Sequence, residues 1–247
     1  FNKFLMKPDL NIFMAFRNNE NSLNKSIESI LLQSYKNFNL ILIDDASTDN
    51  SLDLAKKWKD KDDRIFIIIN NKKLGLAASL NKAIELYPNS FLGRMDADDY
   101  SLPNRLKYQM NFLRKFASID VLGTSVFIDS INKKNYLQLN SNHNQILKNV
   151  YKFMPFAHPT IIMRYNAFNA VGGYKNISKT QDLDLFYRMV ENKIKFHNLK
   201  LPLLVYNTSK KNLKKIINSL RIRLYYEFKA RDFKKCVLSI FFTIYEI

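Results

Sequence analysis

Leu10 to Phe16 reads LNIFMAF, an apolar run of strand length, and SLNKSIESILLQ follows it with Leu23, Ile27, Ile30 and Leu31 at helical spacing. A strand and then an amphipathic helix are predicted. NLILID, Asn39 to Asp44, is a second buried strand, after which Ser47-Thr48-Asp49 offers capping oxygens to a helix through Leu52, Ala55 and Trp58. The unit repeats with a strand over Ile65 to Ile69 and a helix face marked by Leu76, Leu80, Ala83 and Ile84. Phe91 to Asp96 supplies a fourth strand that runs into the acidic stretch Asp96-Ala97-Asp98-Asp99. Alternating strands and helices predict right-handed crossovers and an α/β fold, its sheet mainly parallel with helices on both faces. Ligands of such sheets bind beyond the carboxyl ends of the strands. Those ends read Arg17-Asn18, Asp44-Asp45, Asn70-Asn71 and Asp96 to Asp99.

Beyond Arg105 the pattern loosens into a helix around Leu106, Met110 and Leu113, a strand near Val121 and mixed elements to about Tyr206. This predicts one domain over 1–208, divided at about 104 into a half built from repeated units (9–104) and a half that completes the sheet and shapes a second pocket (105–208). A tail over 209–247 reads as two helices. In the first of them Leu213, Ile216, Ile217, Leu220 and Leu224 share a face, and the end of the second, CVLSIFFTIYEI, is apolar and too short to span a bilayer.

Composition changes this picture in three ways. Apolar residues at 47% and charged residues at 25% exclude a disordered chain. Cys236 is the sole cysteine, so no intrachain disulfide forms, and no long apolar leader or spanning segment is legible; a cytoplasmic protein is expected. The net charge of +17 points to an anionic partner. The basic tail would suit peripheral contact with anionic lipids at the inner face of the plasma membrane, or packing on the domain. Nucleic acid is the other anionic class, but no recognition motif is present and acidic strand ends repel phosphate unless a cation intervenes.

The acidic stretch carries the chemistry. Side chains alternate along an extended segment, so Asp96 and Asp98 can share a side with Ala97 turned away. Two such carboxylates suit Mg²⁺ or Mn²⁺ completed by water and phosphate oxygens; the plainer alternative is a solvated turn or a cap for the helix starting near Asn104. Asp44-Asp45, with the capping sequence after it, can hold a base or ribose or simply start a helix.

Several ordered motifs then fit one family. MAFRN (14–18), SILLQSYKNFNLILIDDASTDNS (29–51), LGLAASLN (74–81), RMDADDYSLPNRL (94–106), AHPTIIMR (157–164), VGGY (171–174) and QDLDLFYRM (181–189) together resemble the bacterial family 2 glycosyltransferases. Within the family the chain is similar to small enzymes of capsule, exopolysaccharide and lipopolysaccharide assembly, over about residues 9–206. The resemblance implies a GT-A fold and inverting, metal-dependent transfer from a nucleoside diphosphate sugar, a UDP sugar, to a glycan or lipid-linked acceptor. It places Phe16, Arg17, Asn18, Asp44 and Asp45 around the nucleoside, with Asp45 on the base. Gly75, Asn81, Arg94 and Ala97 join the donor side. Asp96 and Asp98 become the donor and metal motif, with Asp98 the direct ligand of Mg²⁺ or Mn²⁺, and Asp182 becomes the catalytic base. Gln181 stands where the family usually has Glu, Ala15 where Pro is frequent and Leu183 where an aromatic residue is common. His158, Gly172, Gly173 and Gln181 fall on the acceptor side. His158 as a packed, hydrogen-bonded residue, Asp182 as a helix cap, Asp184 as a structural carboxylate, and Arg94 and Arg105 as carboxylate partners are the plainer readings. Two rival functions keep parts of the pattern: an inactive scaffold of the same fold, and a nucleotidyltransferase, which would need a glycine-rich phosphate loop where MAFRNNEN stands.

Overall fold

The computed structural model describes residues 8–129, 135–150, 154–177, 180–207 and 225–226. The predicted repeat is realised as β1 (Leu10–Phe16), α1 (Leu23–Leu31), β2 (Phe38–Asp44), α2 (Ser51–Lys59), β3 (Ile65–Ile69), α3 (Leu76–Leu86) and β4 (Phe91–Arg94). All pairings among these four strands are parallel. The register puts Phe16 opposite Asp44 and Asp44 opposite Ile69, so these strands end level. Asp45 N–H to Phe16 O (2.9 Å) and Asn70 N–H to Asp44 O (2.9 Å) carry the ladder one step past the strands and fix the rim where the polar residues emerge.

The second half departs from the parallel pattern. It comprises β5 (Tyr100–Ser101), α4 (Arg105–Lys115), β6 (Val121–Ile128), β7 (Tyr136–Leu137), α5 (His143–Asn149), a 3₁₀ turn at His158–Thr160, β8 (Ile162–Arg164), α6 (Tyr165–Ala170), α7 (Gln181–Glu191) and β9 (Phe196–Tyr206). The sheet runs β3-β2-β1-β4-β8-β6-β9-β5, with β7 added to β6. β8 lies antiparallel between β4 and β6, β6 and β9 are parallel, and β5 returns antiparallel to the end of β9. The acidic stretch is therefore the bridge from β4 to β5, held at both ends by the same sheet.

Two apolar layers cover the sheet. Leu10, Ile12, Met14 and Phe16 of β1 pack with Leu23, Ile27 and Ile30 of α1 and Leu106, Met110 and Leu113 of α4. Phe13 faces the opposite side, with Leu80 and Ala83 of α3 and Leu185, Phe186 and Met189 of α7. Burial on both faces is why these strands read as unbroken apolar runs. Each buried Leu, Ile or Phe contributes about 1.5–3 kcal/mol. The two tail helices expected over 209–247 lie outside the described residues, except that Tyr225 and Tyr226 are helical and Tyr226 packs on Leu183 and Tyr187 of α7. Among the described residues no helix is long and apolar enough to cross a membrane.

Candidate active site

On the donor side, the turns after β1 and β2 are laced together. Asn18 and Ala46 adopt positive φ of 55° and 59°. Arg17 Nε donates to Ala46 O (3.2 Å), Asn18 N–H to Ser47 Oγ (3.2 Å), and Thr48 N–H to Asn18 Oδ1 (2.9 Å). The Phe16 side chain is buried in the core, which leaves only its backbone at the rim. Asp44 accepts the Ser47 N–H (3.1 Å), the capping alternative.

Asp45 is drawn into the protein. Its Oδ1 accepts from Leu74 N–H (2.7 Å), Ser79 Oγ (3.0 Å) and Asn70 Nδ2 (3.2 Å), and its Oδ2 accepts from Gly75 N–H (2.9 Å). Desolvation opposes its ionisation, but these four donors outweigh it and hold the carboxyl below the usual range. Asp45 is thus first an anchor for the loop entering α3, where Gly75 supplies a φ of 86°. A base contact is left to Oδ2, which accepts a single bond.

In the acidic stretch burial alternates. Asp96 is half-buried and Asp98 exposed, whereas Ala97 and Asp99 turn inward. Ala97 offers its carbonyl to Ser22 Oγ (3.0 Å), so its place is structural. Arg94, buried beneath, donates to Met95 O and pairs with the Asp96 carboxylate, the plainer of its two readings. Arg105 is also interior: fully buried, it donates to Pro159 O (2.7 Å), and desolvation brings it down to about 10 although Asp99 pulls the other way.

Asp99 was absent from the site expected from sequence. It is 2% exposed; Oδ1 accepts the Asn207 N–H (2.8 Å), while Oδ2 has no hydrogen-bond partner among the described residues. Burial raises it to about 8, reinforced by Asp96 and Asp98. Asp98 is raised as well, by desolvation and then by Asp96. No group of three His, Cys, Asp or Glu side chains gathers among the described residues. A diphosphate-linked Mg²⁺ or Mn²⁺ does not need one, since one or two carboxylates with phosphate and water complete its shell. The exposed Asp98 carboxylate, with Asp96 beside it paired on one side by Arg94, offers hard oxygens that fit such an ion.

On the acceptor side, Asp182 is the second residue of α7 and half-buried, with Oδ1 accepting the Leu183 N–H (2.9 Å). Gln181 is buried beside it. His158 follows the packed reading, with Nε2 2.9 Å from Tyr174 Oη and its ring edge-on to Tyr174 and Phe186. Gly172 and Gly173 have φ of 70° and 67°. Asn81, expected on the donor side, instead spends both ends of its amide on the Tyr174 backbone (2.7 and 3.0 Å) and stitches α3 to the second half.

Two tyrosines connect the halves. Tyr174 is raised above the ordinary phenol value by burial, with Asp182 and Asp96 adding and Arg94 opposing. Tyr206, at the end of β9, is raised by burial and then by Asp96, Asp99, Asp182 and Asp98. Each phenol is thus influenced by both the acidic stretch and Asp182. Tyr174 stood in the VGGY motif, yet only its glycines drew notice; nothing local marked Tyr206.

Comparison with known proteins agrees with this geometry. The model of Glycosyl transferase family 2 matches residues 11–173, from β1 to the double-glycine turn. EpsE of Bacillus subtilis (strain 168) is 38% identical over 202 residues, 78% of this chain and 70% of its own. The S. aureus TarS 1-349 structure in complex with UDP superposes with a TM-score of 0.70 at 18% identity, over 88% of this chain and 65% of that one. The mannosyltransferase PcManGT from Pyrobaculum calidifontis, in complex with GDP-Man and Mn²⁺, gives 0.68 at 14% identity over 96% and 70%. The matched family model spans the whole parallel half and reaches the second, and the chain belongs to glycosyl transferase family 2: it is a glycosyltransferase with a GT-A fold.

Proposed function

We propose that the enzyme moves a sugar from a UDP sugar to a hydroxyl of a glycan or lipid-linked acceptor, inverting the anomeric carbon and using Mg²⁺ or Mn²⁺. The observation that carries this reading is the acidic stretch at the end of β4, with Asp96 half-buried and Asp98 exposed at the rim, in a chain that belongs to glycosyl transferase family 2. Nucleotide bound by TarS, and nucleotide sugar with Mn²⁺ bound by PcManGT, support the donor and the ion. The likeness to enzymes of capsule, exopolysaccharide and lipopolysaccharide assembly supports the acceptor. The net charge of +17 suits work beside anionic lipid at the inner membrane face.

Asp182 accepts the proton of the acceptor hydroxyl, and the oxygen forms a bond to the anomeric carbon from the face opposite the diphosphate. The bond from that carbon to the diphosphate oxygen breaks, and the nucleoside diphosphate leaves with the electron pair. Asp96 and Asp98 would hold the divalent ion, which would supply positive charge to the leaving diphosphate in place of an acid. Asp45 holds the Leu74–Gly75 loop at the end of β2, and with the interlocked turns after β1 and β2 this loop frames the nucleoside. Tyr174 and Tyr206 stay protonated and leave Asp182 as the base.

The test is nucleotide release from UDP-glucose, UDP-galactose, UDP-N-acetylglucosamine and GDP-mannose. Release of UDP from at least one donor with Mn²⁺, abolished by chelation, is expected. Release from none of them would leave the inactive scaffold; release unaffected by chelation removes the ion from the reaction.

A further inference from the structure

One buried polar cluster is not used by the chemistry above. Asp184, two residues beyond Asp182 on α7, is 3% exposed. Its Oδ2 accepts Arg188 Nε at 2.8 Å, with Arg188 Nη2 2.7 Å away, and its Oδ1 accepts the Tyr226 hydroxyl at 2.9 Å. Arg188 continues the chain by donating Nη1 to the carbonyl of Val171, the residue before Gly172-Gly173. The Tyr226 ring lies against Tyr187, with centroids 4.9 Å apart, and joins Val150 and Leu183 in a small apolar cluster. Lys175, after the double-glycine turn, brings Nζ to 4.0 Å from Asp184 Oδ1. One carboxylate therefore gathers the helix carrying Asp182, the turn carrying the two glycines, and a residue from the far end of the chain.

A buried ion pair adds little to stability over an apolar pair of the same shape, because desolving both charges offsets their attraction. What it adds is register: Asp184 and Arg188 satisfy each other at one rotation of α7 and one height against Val171. Tyr226 completes the lone pairs on the side of Asp184 that Arg188 does not reach.

We propose that Tyr226 and Asp184 clamp the acceptor half, as positioning residues that hold α7 and the Gly172-Gly173 turn where Asp182 meets the acceptor hydroxyl. The proposal rests on reading Asp182 as the base. Besides each other, the side chains of Asp184 and Arg188 have Tyr226, Val171 and Lys175 as partners among the described residues, so the clamp acts on turnover and leaves donor binding alone.

The test uses the full chain with the UDP sugar selected by the nucleotide-release panel. Tyr226→Phe keeps the ring and removes the hydroxyl. A fall in kcat of about ten-fold is expected, with unchanged Mn²⁺-dependent UDP affinity by calorimetry and faster amide exchange in 181–191 and 171–174 but not in 10–16. Asp184→Asn should lower kcat similarly, and the double variant should be no slower than the slower single one, because both break one linkage. Turnover of Tyr226→Phe within two-fold of the parent overturns the clamp, and so does a loss that follows UDP affinity or a double loss equal to the product of the two. Should Asp184→Asn fail to fold, Tyr226→Phe decides alone through kcat and the exchange pattern. Asp182→Asn is run beside them: normal turnover there removes the base assignment, while the Tyr226 and Asp184 pair is still judged by its own coupling.

Discussion

Asp45 shows how far a single residue can be read from its neighbours in sequence. Its place at the end of an apolar strand marked it as polar and rim-facing, and that much was legible. Its partners were not, because Leu74 N–H and Gly75 N–H stand 29 and 30 residues away and come into reach only when β2 and β3 pair. Those bonds hold its folded carboxyl below the unfolded value of about 3.9. The stability it contributes is therefore complete above that value and is lost as pH falls through the lower folded one. Asp45→Asn places an amide N–H₂ against donors, and a loss of about 1–3 kcal/mol at pH 7 is expected. The gap between parent and variant should narrow as pH is lowered from about 5 to 3, read as melting temperature across that range. A gap that stays constant would mean that the carboxylate charge is not what holds the loop. Asp99 illustrates the opposite limit: nothing in DADD sets it apart from its neighbours, and only its inward turn into the protein makes it the most strongly perturbed carboxyl of the stretch.

At the scale of elements, the first half was legible because each strand is a run of five to seven apolar positions or a short run closed by polar ones, and each helix has a single apolar face. The second half was legible only in part. β5 and β7 are two residues long and β8 three, too short to show a period, and β9 carries His197, Asn198, Lys200 and Pro202 within its pairing, with register shifts opposite β6. Such strands exist through their partners, and the reversal of β8 is set by packing that no local pattern records. The double-glycine turn between α6 and α7 permits a prediction at this scale. Both glycines have positive φ, so alanine at either costs about 1–2 kcal/mol. At Gly172 a Cβ meets nothing within 4 Å, whereas at Gly173 it would lie 2.9 Å from Asn81 Oδ1 and 3.0 Å from Phe168. Gly173→Ala should therefore destabilise more than Gly172→Ala in urea unfolding. It should also disturb the Asn81 stitch, which amide exchange at Tyr174 would report. Equal losses would show that the stitch yields without strain.

Across the whole molecule, the groups proposed for the donor come from the parallel half and its bridge to β5, and Asp182, proposed as the base, comes from α7 of the second half. This division predicts a clean separation of effects. Asp98→Asn should weaken Mn²⁺-dependent UDP binding in calorimetry, and unchanged affinity would remove it from the ion. Asp182→Asn should lower kcat by about 10²-fold with UDP affinity kept. A variant that lost affinity in step with rate would place Asp182 on the donor instead. The division was visible in the order of the motifs, but the link through Tyr174 and Tyr206 was not, since it needs β9 to return beside β5. The sheet order has one more effect, on how the chain is made. β1 lies between β2 and β4, with Leu10 opposite Phe38 on one edge and Phe91 on the other. During synthesis β1 can pair with β2 first and keeps its other edge bare until β4, which begins at Phe91, has emerged. For that interval an apolar edge is open to any other nascent strand, and crowded ribosomes are a condition under which this protein is exposed to mispairing.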